Sequence, residues 1–439
     1  MSKVYKPALL VGCLILAGCG SSSDSASENK PSISAGEEKP KLTLNVKTRT
    51  DCGTIPYPNA SVVFHDTDGN VVATHKTDNV GFFSQDIPAG ALHASVIGVE
   101  DYGPSRMGAS DVGKIRKIHT ALDISEGAQL ETIEFFDASG SCPCRDITVD
   151  LSELAVTHSD YKVSREEGVG FDGYKGSVSV CGHNPKLYYS ISLPGYDMSK
   201  LAVIDVPAAS SSVVITGSDF VHDSVRVPTS HLADKSKVSV NGRDSYGEKI
   251  LSNFDDAGEH TVFKIYPSLS NINELYNYKS AANYPAVIHS WGVITYLDNE
   301  GKTNEFELPE ARLELASELN KAVLMQEQGD AYAYNFTGFD MRLQQATVTL
   351  NFELLGSPYK KLKWIVAGGL NYEIPKLTFG EEFKVSKRNV TPHASLHLSG
   401  YHGAPTSLVD YRQYVQQHIG KTSIGDQVFI RTTQSLRLN

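Results

Sequence analysis

Along much of this chain apolar and polar residues alternate at every second position, the signature of strands with one buried face. The alternation starts at Leu42, Leu44 and Val46. Pro58–Phe64 predicts a second strand, Val71–Ala73 a third, Thr77–Phe83 a turn leading into a fourth and Leu92–Val96 a fifth. The breaks between them are Asp66-Thr67-Asp68-Gly69-Asn70, Thr77-Asp78-Asn79-Val80-Gly81 and Ile87-Pro88-Ala89-Gly90. Asp-Gly steps permit the positive φ that tight hairpin turns need.

Residues 139–265 continue in the same style. Strands are expected at Ile147–Leu151, Ser177–Val180, Tyr188–Leu193, Ala202–Val206, Ser212–Thr216, Val238–Val240 and Thr261–Phe263. Short strands at this spacing predict an antiparallel sandwich or barrel. Residues 266–439 add helices. Pro309–Gln328 is rich in Leu, Glu and Ala with Pro in its first turn, and Ser407–Ile419 opens with Ser407 and Asp410 spaced as a capping box. Leu408, Tyr411, Val415 and Ile419 form an apolar stripe on that second helix, and Gly420 stands at its C-cap position. Strands there are expected at Val287–Tyr296, Ala331–Phe336, Ala346–Phe352 and Leu362–Val366.

The order Pro-Asn-Ala-x-Val, Asp-x-Asp-Gly, Thr-Asp-x-x-Gly-x-Phe, Ile-Pro-Ala-Gly over residues 52–100 resembles the carboxypeptidase regulatory-like, transthyretin-like β-sandwich. The resemblance implies such a domain at about 42–100, a spacer or binding unit in many proteins. One position departs from it: Ala91-Leu92-His93 stands where the family usually carries an aromatic residue.

The N-terminus is different in kind. Lys3 and Lys6 precede an apolar run from Ala8 to Leu16, too short for a permanent span of the bilayer. It ends in Leu16-Ala17-Gly18-Cys19, followed by Gly20-Ser21-Ser22-Ser23-Asp24-Ser25. This resembles the lipobox of bacterial lipoproteins. The resemblance implies cleavage after Gly18, lipid on Cys19 and, because Gly20 rather than Asp follows, an address at the outer membrane. Two or three acyl chains, at about 0.8 kcal/mol per buried methylene, make a lasting anchor. The expected organisation is a signal peptide at 1–18 and a disordered tether at 19–41. A transthyretin-like sandwich with linker follows at 42–138, a β-rich domain at 139–265 and an aromatic-rich β domain with minor helices at 266–439. The expected fold class is mainly β and multi-domain.

Charge narrows the partners. Removing residues 1–18 takes away Lys3 and Lys6 and moves the net charge from −11 to −13. No basic stripe is present to neutralise phosphates, which argues against nucleic acid. The expected membrane contact is the lipid anchor. Of the 6 cysteines, Cys13 leaves with the signal and Cys19 takes lipid. Cys52, Cys142, Cys144 and Cys181 remain, and export favours disulfides. Cys142 and Cys144 are too close for an unstrained bridge, which leaves two pairings. Cys144–Cys181 with Cys52–Cys142 is favoured, because Cys144 and Cys181 both border alternating runs that could pair as strands. A four-thiolate metal site lacks the paired CxxC spacing.

Searches for chemistry return few leads. There is no Gly-x-Ser-x-Gly elbow and no His-Glu-x-x-His motif. Gly420-Lys421-Thr422 lacks the earlier glycine of a phosphate loop. Asp66, Asp68 and Asn70 miss the Gly and acid positions of a calcium loop. His393 and His397 would stand about 13 Å apart on a strand face, too far for one ion shared with His402. The acid pairs Glu166-Glu167, Asp255-Asp256 and Glu381-Glu382 read as solvated turns. No catalytic residue, metal or cofactor is expected. The last lead is aromatic: residues 266–439 hold 12 of the 21 tyrosines and both tryptophans. Tyr276, Tyr278, Tyr284, Trp291, Tyr332, Tyr334, Trp364 and Tyr372 could line a recognition face. Of these, Trp291, Tyr332, Tyr334 and Trp364 are the leading ligand-binding candidates. The expectation is a lipid-anchored envelope protein with a binding or structural role, its ligand a glycan, peptidoglycan or an envelope protein. The alternatives are a hydrolase of envelope polymers with dispersed acids, and an accessory subunit of an envelope assembly.

Overall fold

A computed structural model describes residues 41–50, 52–102, 113–137, 144–165, 174–182, 185–192, 199–228, 237–243, 249–256, 263–283, 287–303, 307–312, 314–328, 330–354, 359, 361–379, 388–390, 394–418 and 430–438. The fold is mainly β, with several sheets and minor helices. The alternation from Leu42 becomes the strand Leu42–Thr50. It pairs with Gly53–Pro56 and Phe82–Gln85 antiparallel and with Ile133–Phe136 parallel. Opposite lie the strands Val71–Lys76, Ser61–His65, His93–Tyr102 and Gly113–Ala121, in that order. Leu42, Val46, Val62, Phe64, Val96 and Phe135 fill the space between the two sheets. The Phe135 ring lies against Gly98, where an added Cβ would come within 2.5 Å of it.

The inner strands of the second sheet, Ser61–His65 foremost, are buried on both faces, while its edge strand Val71–Lys76 is exposed. Val62 and Phe64 point into the sandwich, while Val63, Ile97 and Ile118 point into a different core. That is why Val62-Val63-Phe64 is a continuous apolar run, as strands covered on both sides require. The sheet also continues. Gly113–Ala121 pairs in parallel with Lys361–Gly369, Ile118 opposite Trp364. From there the ladder runs through Gln345–Leu354, Ser395–Tyr401, Ile430–Leu438, Val287–Leu297, Ile272–Asn283, Lys237–Arg243 and Lys249–Asp256. The segments 42–138 and 266–439 thus share a sheet, and they share the core of Val63, Ile118, Leu319, Phe336, Leu350 and Trp364.

Residues 144–223 form a second sandwich. Lys175–Cys181, Cys144–Asp150 and Ser212–Val214 make one sheet, and Lys162–Arg165, Lys186–Ser192, Ser199–Asp205 and Phe220–Asp223 the other. Ile147, Val178, Tyr189 and Phe220 lie between them. The register sets Cys144 opposite Cys181, and the two are bonded. Closing a loop of 37 residues stabilises by about 4 kcal/mol in the chain-entropy picture. Cys52 is disulfide-bonded as well. Cys142 lies outside the described residues.

Three turns share one construction. In Asp66–Asn70, Asp78–Phe82 and Asp298–Lys302 the first Asp Oδ1 accepts the backbone N–H groups two and four residues on. Gly69, Gly81 and Gly301 then take positive φ, at 83°, 74° and 75°. The carboxylate of Asp66 is therefore occupied by its own turn, which is a hairpin and not an ion loop.

The expected helix at Pro309–Gln328 starts later, at Leu315. Arg312 donates from Nη2 to Phe339 O at 3.1 Å, and Leu315 and Leu319 enter the core only after that tie. Pro309 precedes the helix and is not in its first turn. The second expected helix spans Leu408–His418, with Asp410 N–H donating to Ser407 Oγ at 3.2 Å. A short helix at Ser152–Thr157 carries no sequence signal beyond the burial of Leu154.

Candidate functional site

Three of the four leading aromatic candidates are core residues. Tyr332, Tyr334 and Trp364 are 4%, 5% and 2% exposed, which corrects the expectation that they line a recognition face. Alternation does put Tyr332 and Tyr334 on one side, with ring centroids 6.0 Å apart, but that side faces inward. Tyr332 Oη donates to Glu318 O at 2.8 Å, and burial raises its pKa. Each hydroxyl or indole N–H inside must find an acceptor. Trp364 finds Thr120, whose Oγ1 lies 2.8 Å from Ser95 Oγ, itself 2.9 Å from His65 Nε2. This buried polar chain was hidden in the sequence because its members sit on strands from both ends of the protein.

Trp291 is half-buried, and alternation directs its ring to the His289 side, 5.0 Å away. On the opposite face of the same strands a groove of about 240 Å3 opens. Tyr276, Tyr278, Gly292, Ile294 and His397 line it, with Trp291 at its border. The register explains the depression: Gly292 stands opposite Tyr278 and Ile294 opposite Tyr276. A Cβ at Gly292 would lie 2.5 Å from Tyr278 Cβ, so the glycine is what lets the two strands approach there. Tyr276 is held by Glu274 Oε2 at 2.7 Å, and the same oxygen meets Arg243 Nε at 3.0 Å. Burial first, then Glu274, raises the Tyr276 pKa and keeps the phenol protonated.

A second concavity of about 150 Å3 lies between the N-terminal sandwich and the helix Leu408–His418. Its floor is Ala94, Val96, Ala121, Ile365 and Ala367, and Leu130 and Val415 form opposite walls. His119, Gln345, Glu131 and Arg412 supply its polar atoms. His119 Nε2 is buried with no hydrogen-bond partner. Burial, then Lys117 and Lys363, lowers the His119 pKa to about 3, so the imidazole is neutral. Arg412 donates to Asp123 O at 2.9 Å and Ala367 O at 3.3 Å.

Among the described residues no group of His, Cys, Asp or Glu is placed to hold a metal ion. His397 and His402 lie on and just after the strand Ser395–Tyr401. Cys19, His393, Tyr284, Glu166-Glu167, Glu381-Glu382 and Gly420-Lys421-Thr422 lie outside the described residues. Comparison with known proteins finds no matching family, characterised protein or solved structure.

Proposed function

We propose that this protein is a binding module of the bacterial envelope, anchored by lipid on Cys19 to the outer membrane, which recognises a glycan strand such as peptidoglycan. The observation that carries the reading is the groove at Gly292. Two tyrosine rings and Ile294 offer flat apolar contact, and Ser290 and His397 border it with polar groups. Sugar rings present the same mixture of an apolar face and a hydroxyl rim. The Arg243–Glu274–Tyr276 chain fixes one ring in advance, which lowers the ordering cost of binding. The transthyretin-like resemblance of residues 42–100 fits a module that spaces or presents such a surface.

Co-sedimentation with isolated peptidoglycan, comparing the parent protein with Tyr276→Ala and Tyr278→Ala, tests the recognition. Each variant is expected to lose at least tenfold in affinity, while Trp291→Ala, with its ring on the other face, loses stability instead. Equal binding by all four proteins overturns the reading. Cys19→Ala is expected to leave the membrane fraction, and its retention there overturns the anchor.

A further inference from the structure

We propose that the cavity between the N-terminal sandwich and the helix Leu408–His418 is a second binding site, for a small carboxylic acid with a ring-sized apolar body. Three observations lead there, none of them involving the groove at Gly292. The first is size and lining. A cavity of about 150 Å3 matches voids that take up benzene, and Ala94, Val96, Ala121, Ile365, Ala367 and Val415 give this one an apolar interior. Small side chains at Ala94, Ala121 and Ala367 stand side by side on three neighbouring strands, so the hollow is built by the register.

The second is the charge around it. Arg412 spends two hydrogen bonds on backbone carbonyls and makes no ion pair among the described residues. Arg412 is half-buried and lines the cavity, so its remaining N–H groups are within reach of a ligand there. Lys363, two residues from Ile365 on the same face, also has no ion pair among the described residues, and Lys117 beside it is already paired with Glu100 at 2.7 Å. Glu131 lines the cavity and acts on Arg412 electrostatically. Asp123 acts on Arg412 ahead of Glu131, and Glu100 acts on Lys363, but no carboxylate among the described residues is ion-paired with the Arg412 guanidinium, which leaves its fork for a bound carboxylate. The third is His119, whose buried Nε2 has no partner and borders the apolar floor, available to a ligand atom.

The geometry assigns the ligand ring to the floor and its carboxylate to the Arg412 end. Guanidinium recognises a carboxylate through paired N–H groups, whereas an uncharged alcohol of the same size gains only the apolar contact.

Calorimetric titration of the full-length protein with benzoate, benzyl alcohol and acetate reads all three requirements. Benzoate is expected to bind saturably and at least tenfold more tightly than either benzyl alcohol or acetate. Arg412→Met should remove that preference. Because Arg412 also ties the helix to Asp123 and to the strand Lys361–Gly369, a second variant guards against misfolding: Val415→Phe fills the cavity from the helix and should weaken benzoate at least tenfold, with thermal unfolding near that of the parent. Absence of saturable benzoate binding overturns the proposal. So does equal affinity for benzyl alcohol, or benzoate binding unchanged in Val415→Phe. Peptidoglycan co-sedimentation of Val415→Phe should match the parent, which separates failure of this site from failure of the groove.

Discussion

Trp364 Nε1 donates a 2.9 Å hydrogen bond to Thr120 Oγ1 across 244 residues of sequence. The contact lies where the parallel pair Gly113–Ala121 and Lys361–Gly369 joins the N-terminal sandwich to the C-terminal sheet. Trp364→Phe keeps most of the packing and loses the donor, so a cost of about 1–2 kcal/mol is expected. Trp364→Ala leaves a cavity and should cost about 3–5 kcal/mol. Urea unfolding of both variants checks the order, and a Phe variant as damaging as Ala would contradict it.

The turn glycines divide by what surrounds them. Gly81 has φ of +74°, and a Cβ there would fall 2.2 Å from Val46 O. Gly90 has φ of +82° with nothing within 4 Å. Gly90→Ala should therefore cost only the left-handed backbone strain, about 1–2 kcal/mol. Gly81→Ala adds displacement of a backbone carbonyl and should cost about 3 kcal/mol or more. Similar melting temperatures for the two variants would refute the distinction.

Lys117 and Glu100 form an ion pair whose side chains are 10% and 3% exposed. Lys117 Nζ also donates to Glu134 O at 2.9 Å. Removing one partner strands the other charge, so Glu100→Gln or Lys117→Met alone should destabilise by about 3–5 kcal/mol. The pair Glu100→Leu with Lys117→Met should recover most of that loss. A double-mutant cycle measures it, and simple additivity would show the pair to be uncoupled.

Stability should fall in mild acid. Burial, then His93, lowers the His65 pKa to about 4, below the value of about 6.5 in the unfolded chain. Above pH 6.5 both states are neutral and the stability is fully present. As pH drops from 6.5 toward 4 the unfolded state takes up a proton that the native state refuses. The loss over that window is about 3 kcal/mol from His65 alone. His119 adds to it in the same direction. Urea midpoints at pH 7.5, 5.5 and 4.5 should decline, and His65→Phe should flatten the decline.

Much of the strand pattern was legible. Leu42, Leu44 and Val46 are buried as their alternation requires, and the expected Val287–Tyr296 strand is one residue short of that observed. The Ser407–Asp410 cap and the stripe of Tyr411 and Val415 also appear as written. The Cys144–Cys181 pairing followed from two flanking strands that do pair. Where the aromatics face was not legible. Alternation says that Tyr332 and Tyr334 share a side and is silent on which side meets the core.

Local sequence therefore determined the elements: period two for strands, Asp and Gly for turns, a capping box for a helix. These signals act over a few residues, within reach of one hydrogen bond. Tertiary structure alone decided the partners. Only the parallel ladder between Gly113–Ala121 and Lys361–Gly369 buries Trp364 and lines three alanines along a cavity. Only the register of Tyr278 against Gly292 opens a groove. Pairing across hundreds of residues depends on which faces exclude water together, and that is a property of the whole sheet and not of any segment of it.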